Sequence, residues 1–82
     1  MAKIYIDVRE SYEYDMDHVE KAINIPLDQI MSLGLPDYIS TTDEIVVYCR
    51  SGSRSEIARQ ALRRFGYSNV TNGINQRYIE SN

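Results

Sequence analysis

The sequence predicts an α/β domain built on a mostly parallel sheet with helices on both faces. Three observations lead there. Strand-like and helix-like patterns alternate along the chain, as they do where parallel strands are joined by helical crossovers. Glu44 to Tyr48 holds an apolar run bounded by polar loops, the pattern of a strand buried on both faces. That strand leads through a short loop of small residues into an amphipathic helix, so at least one strand–loop–helix unit can be placed directly.

Lys3 to Val8 (KIYIDV) is β-branched and aromatic, with Ile4 and Ile6 on one face and Tyr5 on the other, and reads as the first strand. Glu10 to Asp17 follows as a short helix. Ala22 to Ile25 is a second strand, stopped by Pro26, which has no N–H to give to a ladder. Leu27 to Ser32 is a short helix ending near Gly34, and Pro36 to Ile39 is one helical turn. After the strand Glu44 to Tyr48, the helix Ser53 to Phe65 repeats Ile57, Ala61 and Phe65 every four residues. Ala58 and Leu62 lie beside them, while Arg59, Arg63 and Arg64 face water. Ser53 and Glu56 have the spacing of a capping box, and Gly66 stands where a helix-terminating glycine belongs. Asn69 to Thr71 is a last short strand and Ile74 to Ser81 a closing helix.

With 82 residues, the chain is expected to form one domain over residues 1–82, near the small end of what folds unaided. One cysteine excludes an internal disulfide, and one histidine with one cysteine excludes a Cys/His metal site, so no metal or cofactor is expected. No apolar run approaches the ~18 residues of a membrane span, and no secretory leader pattern opens the chain. A cytoplasmic protein is expected, or a periplasmic one whose leader has been removed. Residues 1–44 carry ten acidic and three basic side chains, and residues 45–82 carry two and six. The positive half suits a small anionic substrate. A pI near 5 and the lack of a basic stripe interleaved with aromatics exclude nucleic acid. The seven tyrosines read as packing residues.

The only cysteine, Cys49, ends the strand and opens the loop Cys49-Arg50-Ser51-Gly52-Ser53-Arg54-Ser55. Ligands of parallel α/β sheets bind beyond the carboxyl ends of the strands. A thiol there meets a helix N-terminus, and Arg50 and Arg54 add positive charge, so its pKa should fall below the free value of ~8.5. The backbone N–H groups from Arg50 through Ser55 can converge on the sulfur, and Gly52 permits the tight turn. The competing reading is a buried structural cysteine at a strand end.

Several pieces of the chain, in order, resemble the rhodaneses, or thiosulfate sulfurtransferases, in particular their compact single-domain members. They are Tyr5-Ile6-Asp7-Val8-Arg9-Glu10; His18 with Ala22-Ile23-Asn24-Ile25-Pro26-Leu27; Ile45 through Ser55; and Phe65-Gly66-Tyr67-Ser68-Asn69-Val70. The resemblance implies a small rhodanese-like domain with a parallel sheet of about four to five strands; with four remaining, the family topology puts them in the spatial order 4-3-1-2. It implies that Cys49 is the nucleophile that accepts sulfane sulfur from thiosulfate or from a persulfide donor. Cyanide or a thiol, including one on a thioredoxin-type protein, would then take the sulfur. The loop Arg50, Ser51, Gly52, Ser53, Arg54, Ser55 would cradle the persulfide, with Arg54 either steering the anion or turned back into an ion pair. Asp7 and Arg9 would support the loop or form a structural network, and His18 would tie down a turn rather than act as a general base. No membrane partner and a monomer are expected.

Two other functions share this outline. A rhodanese-like domain can relay persulfide sulfur to a protein partner or serve as an interaction module. Related folds with phosphatase or arsenate-reductase activity carry five residues between the cysteine and arginine, where this chain has four; the tighter ring suits one sulfur atom. The chain also departs from the family pattern G-H-x-P-G-A, having Asp17-His18-Val19-Glu20-Lys21-Ala22. With the Asp7-bearing strand at its start, the family's usual leading strand and helix are expected to be absent, and Asn72-Gly73-Ile74-Asn75 stands at the usual Gly-Gly and Trp region. These changes bear on a fifth strand and on the pocket rim.

Overall fold

The computed structural model describes residues 3–81. Its elements run β1 (Lys3–Asp7), α1 (Ser11–Met16), β2 (Ile23–Asn24), α2 (Leu27–Leu33), β3 (Glu44–Cys49), α3 (Ser53–Arg64), β4 (Val70–Asn75) and α4 (Gln76–Ser81). Among the described residues the strands form one parallel sheet in the order β2-β1-β3-β4. This is the α/β architecture the sequence predicts and the strand order the family resemblance implies.

Side-chain alternation along the strands divides the core. Ile6, Ile45 and Val47 point to one face and pack with Ile30 of α2 and Ala58 and Leu62 of α3. Tyr48 points to the other face, with Tyr5, Tyr14 of α1 and Ile79 of α4. Cys49 shares the parity of Val47 and so lies on the α3 side. Ile6, Ile45, Val47 and Leu62 have no solvent exposure; each such burial is worth roughly 1.5–3 kcal/mol.

Several local expectations are corrected. The residue preceding α3 is Gly52, at φ 95°, not Ser53. The loop needs its left-handed residue directly before the first helical turn, so Ser53 is already helical and the capping box does not close. Ser53 Oγ meets Ser51 Oγ at 3.1 Å, and the Glu56 carboxylate accepts from Arg59 Nε at 2.9 Å. The buried stripe of α3 is Ser55, Ala58, Ala61 and Leu62, while Ile57 and Phe65 stay half exposed. The helix is rolled so that Ser55 faces Cys49. Its end is as expected: Tyr67 N–H donates to Leu62 O and Gly66 N–H to Arg63 O, at 3.0 and 3.1 Å, around Gly66 at φ 102°.

Pro36 to Ile39 is a hydrogen-bonded turn rather than a helical one, closed by Ile39 N–H to Pro36 O at 3.0 Å. β4 runs on to Asn75, so α4 begins later than Ile74. In the departing 17–22 turn, Lys21 takes the left-handed φ of 69° at the position where the family pattern has glycine. Ala22 N–H closes that turn on Val19 O at 2.9 Å.

Candidate active site

Cys49 lies at the carboxyl end of β3 and is 2% exposed. Gly52 N–H donates to Sγ at 3.1 Å, and the Ser55 hydroxyl lies 3.5 Å away. Burial pushes the thiol pKa up. The Ser55 hydroxyl and the backbone N–H groups of Ser55, Gly52 and Ser51 outweigh it, and the net direction is down. The N-terminal end of the twelve-residue α3 adds its dipole to this group. Short-range donors therefore favour the thiolate form of the sulfur against the cost of its burial.

The two loop arginines have different fates. Arg50 is exposed and has no ion-pair partner among the described residues. Arg54 turns back to α1, where its Nη1 and Nη2 donate to the two Glu13 carboxylate oxygens at 2.8 and 3.1 Å. That contact holds the Glu13 carboxyl down at about 2. Of the two readings of Arg54, the structure has the ion pair. Glu13 also accepts from Glu10 N–H at 2.9 Å, so one carboxylate ties the start of α1 to the loop.

Asp7 and Arg9 sit at the end of β1 and form a closed network. The fully buried Asp7 carboxylate accepts from Arg9 N–H, Nε and Nη2 at 2.9, 2.9 and 2.7 Å. Arg9 Nη2 also donates to Asp17 O at 2.7 Å, and its guanidinium lies 5.8 Å over the Tyr48 ring. Tyr48 OH accepts from Val19 N–H at 3.0 Å. The ring of His18 stacks on Tyr14 with centroids 3.6 Å apart, and Nδ1 meets Tyr14 O at 2.7 Å. These contacts fasten the 17–22 turn to the sheet. They place His18 and Asp7 in structural bonds rather than against Sγ.

A cavity of about 260 Å³ opens beside the loop between Arg50 and α1, lined by Arg9, Tyr12, Glu13, Met16 and Asp17. Tyr12 and Met16 are 67% and 83% exposed. Glu13, Tyr12 and Met16 escape a reading by motif, because α1 meets the loop only through the fold. Asn72 was likewise legible only as a departure from a pattern. Its side chain reaches the loop, with Nδ2 donating to Gly52 O at 3.0 Å. Among the described residues, no group of three or more His, Cys, Asp or Glu could hold a metal ion, and no helix is long and apolar enough to cross a membrane.

The sequence profile of the Rhodanese-like domain matches residues 2–75, which include Cys49 and its loop. The chain belongs to the rhodanese family. This rhodanese chain is 38% identical over 74 residues to the thiosulfate sulfurtransferase PspE of Escherichia coli, covering 87% of this chain and 68% of that protein. Its fold matches a solved E. coli rhodanese described with anions, at a TM-score of 0.80 and 35% identity over 94% of this chain and 91% of that one. It also matches a human single-domain sulfurtransferase at 0.83 and 26% identity, over 98% and 83%. Other curated relatives are longer, and the rhodanese chain spans between 17% and 56% of seven of them. These likenesses support sulfurtransferase activity, the activity of the family.

Proposed function

We propose that residues 1–82 act as one unit that moves sulfane sulfur from thiosulfate to a thiol or to cyanide through a persulfide on Cys49. The observation that carries this reading is the buried Sγ receiving the Gly52 N–H at 3.1 Å, with the Ser55 hydroxyl beside it. The Cys49 thiolate attacks the outer sulfur of thiosulfate. The S–S bond of thiosulfate breaks, its electron pair departs on sulfite, and Cys49 carries a terminal S⁻. Cyanide or a thiolate then attacks that outer sulfur. The Cys49–sulfur bond breaks with its electron pair returning to Sγ, which yields thiocyanate or an acceptor persulfide and restores the thiolate.

The loop N–H groups stabilise the charge that develops on sulfur. Sulfite is a good leaving group, so no general acid is required in the loop. Arg50, exposed and without an ion pair among the described residues, draws the dianion in and holds the departing sulfite. Arg54 shapes the loop through Glu13, and Asp7 with Arg9 supports β1 and the rim. The near-complete burial of Cys49 admits a small anion and suits sulfur chemistry better than a bulky phosphoester. A thiol that must stay reduced favours the cytoplasm as its compartment.

The test is intact-protein mass after incubation with thiosulfate, beside Cys49→Ser. A gain of one sulfur atom on the wild type alone, removed by cyanide with thiocyanate formed, is expected. No gain with thiosulfate would remove the small-molecule reading. A second reading, a relay to a protein thiol such as a thioredoxin-type partner, draws on the exposed Tyr12 and Met16 beside Arg50. It predicts loading only from a persulfidated protein.

A further inference from the structure

One side-chain amide reaches the loop from outside it. β4 carries a bulge: Val47 pairs with Asn72 and Tyr48 with Ile74, leaving Gly73 without an opposite residue. Ile74 takes a left-handed φ of 71°. Asn72 Oδ1 holds this bend by accepting from Ile74 N–H at 2.9 Å. The rest of the amide faces the loop, where Nδ2 donates to Gly52 O at 3.0 Å and Oδ1 accepts from Ser55 Oγ–H at 2.7 Å.

Ser55 is fully buried, and its oxygen has two acceptors in reach, Asn72 Oδ1 at 2.7 Å and Cys49 Sγ at 3.5 Å. A hydroxyl has one proton to donate. When Cys49 is a thiol, its S–H can point to Ser55 Oγ while Ser55 donates to Asn72, and every proton in the chain has a place. When Cys49 is a thiolate, sulfur can only accept. Ser55 must then turn its proton to Sγ, leaving Oδ1 with the Ile74 N–H alone.

We propose that Asn72 is a positioning residue that competes with Cys49 for the single Ser55 proton and thereby sets how readily the sulfur gains and loses its charge. The proposal deepens the reading of Cys49 as the sulfur acceptor and rests on it. In that cycle Sγ alternates between a thiolate and the uncharged inner sulfur of a persulfide. The Ser55 proton follows, toward Sγ in the resting protein and toward Asn72 once sulfur is loaded. The backbone N–H groups remain for the charged outer sulfur.

The charged groups around this cluster are Arg50 in the loop, Arg54 of α3 paired with Glu13 of α1, and Glu56 of α3. The Glu56 carboxylate lies 3.4 Å from Asn72 Nδ2 and is paired with Arg59. Asp7 and Arg9 lie at the end of the neighbouring β1 and neutralise one another. Changes at Asn72 and Ser55 leave these charges in place. Gly52 O keeps a donor, Glu56 N–H at 3.0 Å, when the Asn72 side chain is removed.

The experiment is a pH titration of thiolate ultraviolet absorbance in the wild type, Asn72→Ala, Ser55→Ala and the double variant, with Cys49→Ser as the blank. Asn72→Val, a strand former with no acceptor, replaces the alanine variant where that one does not fold. Ser55→Ala should raise the midpoint. Removing Asn72 should lower it, increasing the thiolate-to-thiol ratio about three- to tenfold, the scale of one hydrogen bond. The same removal should do nothing on the Ser55→Ala background. A midpoint unmoved or raised by loss of Asn72, or an equal shift with and without Ser55, overturns the proposal. Thiosulfate loading read by mass is separate: loading without the coupling sinks the role of Asn72, and coupling without loading sinks the thiosulfate reading.

Discussion

Glu13→Gln separates the ion pair that joins α1 to the loop from everything else Glu13 does. Glutamine still accepts from Glu10 N–H but carries no charge for Arg54. In the native protein, the Arg54 guanidinium holds the Glu13 carboxyl at about 2, down from an ordinary 4.5. At ~1.4 kcal/mol per unit, that displacement bounds the pair at roughly 3.5 kcal/mol. Arg54 keeps 34% of its side chain in solvent, and screening reduces the figure to about 1–2 kcal/mol. The folded-state value is the depressed one, so this stability is present above the unfolded value of 4.5 and is lost as pH falls toward 2. Glu13→Gln should therefore be about 1–2 kcal/mol less stable than wild type near neutrality, a fall of ~4–8 °C in Tm per kcal/mol for a domain of this size. The gap should close as the pH approaches the lower value. Urea unfolding at a series of pH values measures it. Parallel stability curves for the two proteins, with a gap that does not change with pH, would falsify the ion-pair account.

Other substitutions address separate parts of the molecule. Arg50→Ala should raise KM for thiosulfate severalfold while leaving Tm unchanged, because Arg50 is exposed and has no ion pair among the described residues; steady-state kinetics beside a melting curve reads both. Arg9→Ala leaves the fully buried Asp7 carboxylate without its guanidinium and should cost about 3–5 kcal/mol in denaturant unfolding. Lys21→Gly should stabilise the protein by about 1 kcal/mol, since Lys21 holds a φ of 69° that glycine adopts without penalty; a lower Tm would show that the side chain contributes more than the strain.

The architecture was legible because it rests on period and punctuation. The apolar run in Glu44 to Tyr48, the strand Lys3 to Val8 and the glycine at position 66 each carry their signal within a few residues. The position of Cys49 followed from the strand preceding it. What stayed hidden depended on distant partners. The buried face of α3 could not be taken from Ile57 and Phe65, because Ser55, a polar residue, must face the sulfur, and that requirement rolls the helix. The choice for Arg54 between anion and ion pair needed Glu13, which lies 41 positions away along the chain. The sequence marks only Asn69 to Thr71 as strand, because Asn72, Gly73 and Asn75 are poor strand formers; β4 persists through them by bulging at Gly73.

The two outer strands bear on how the protein behaves in a crowded solution. One edge of the sheet, β2, is two residues long. The other, β4, is bent by its bulge and the left-handed Ile74, and α4 begins at the very next residue after it ends. An intruding chain finds no straight row of free N–H and C=O groups on either side. The same irregularity that brings Asn72 to Ser55 and the Cys49 loop thus also guards the sheet against edge-to-edge aggregation.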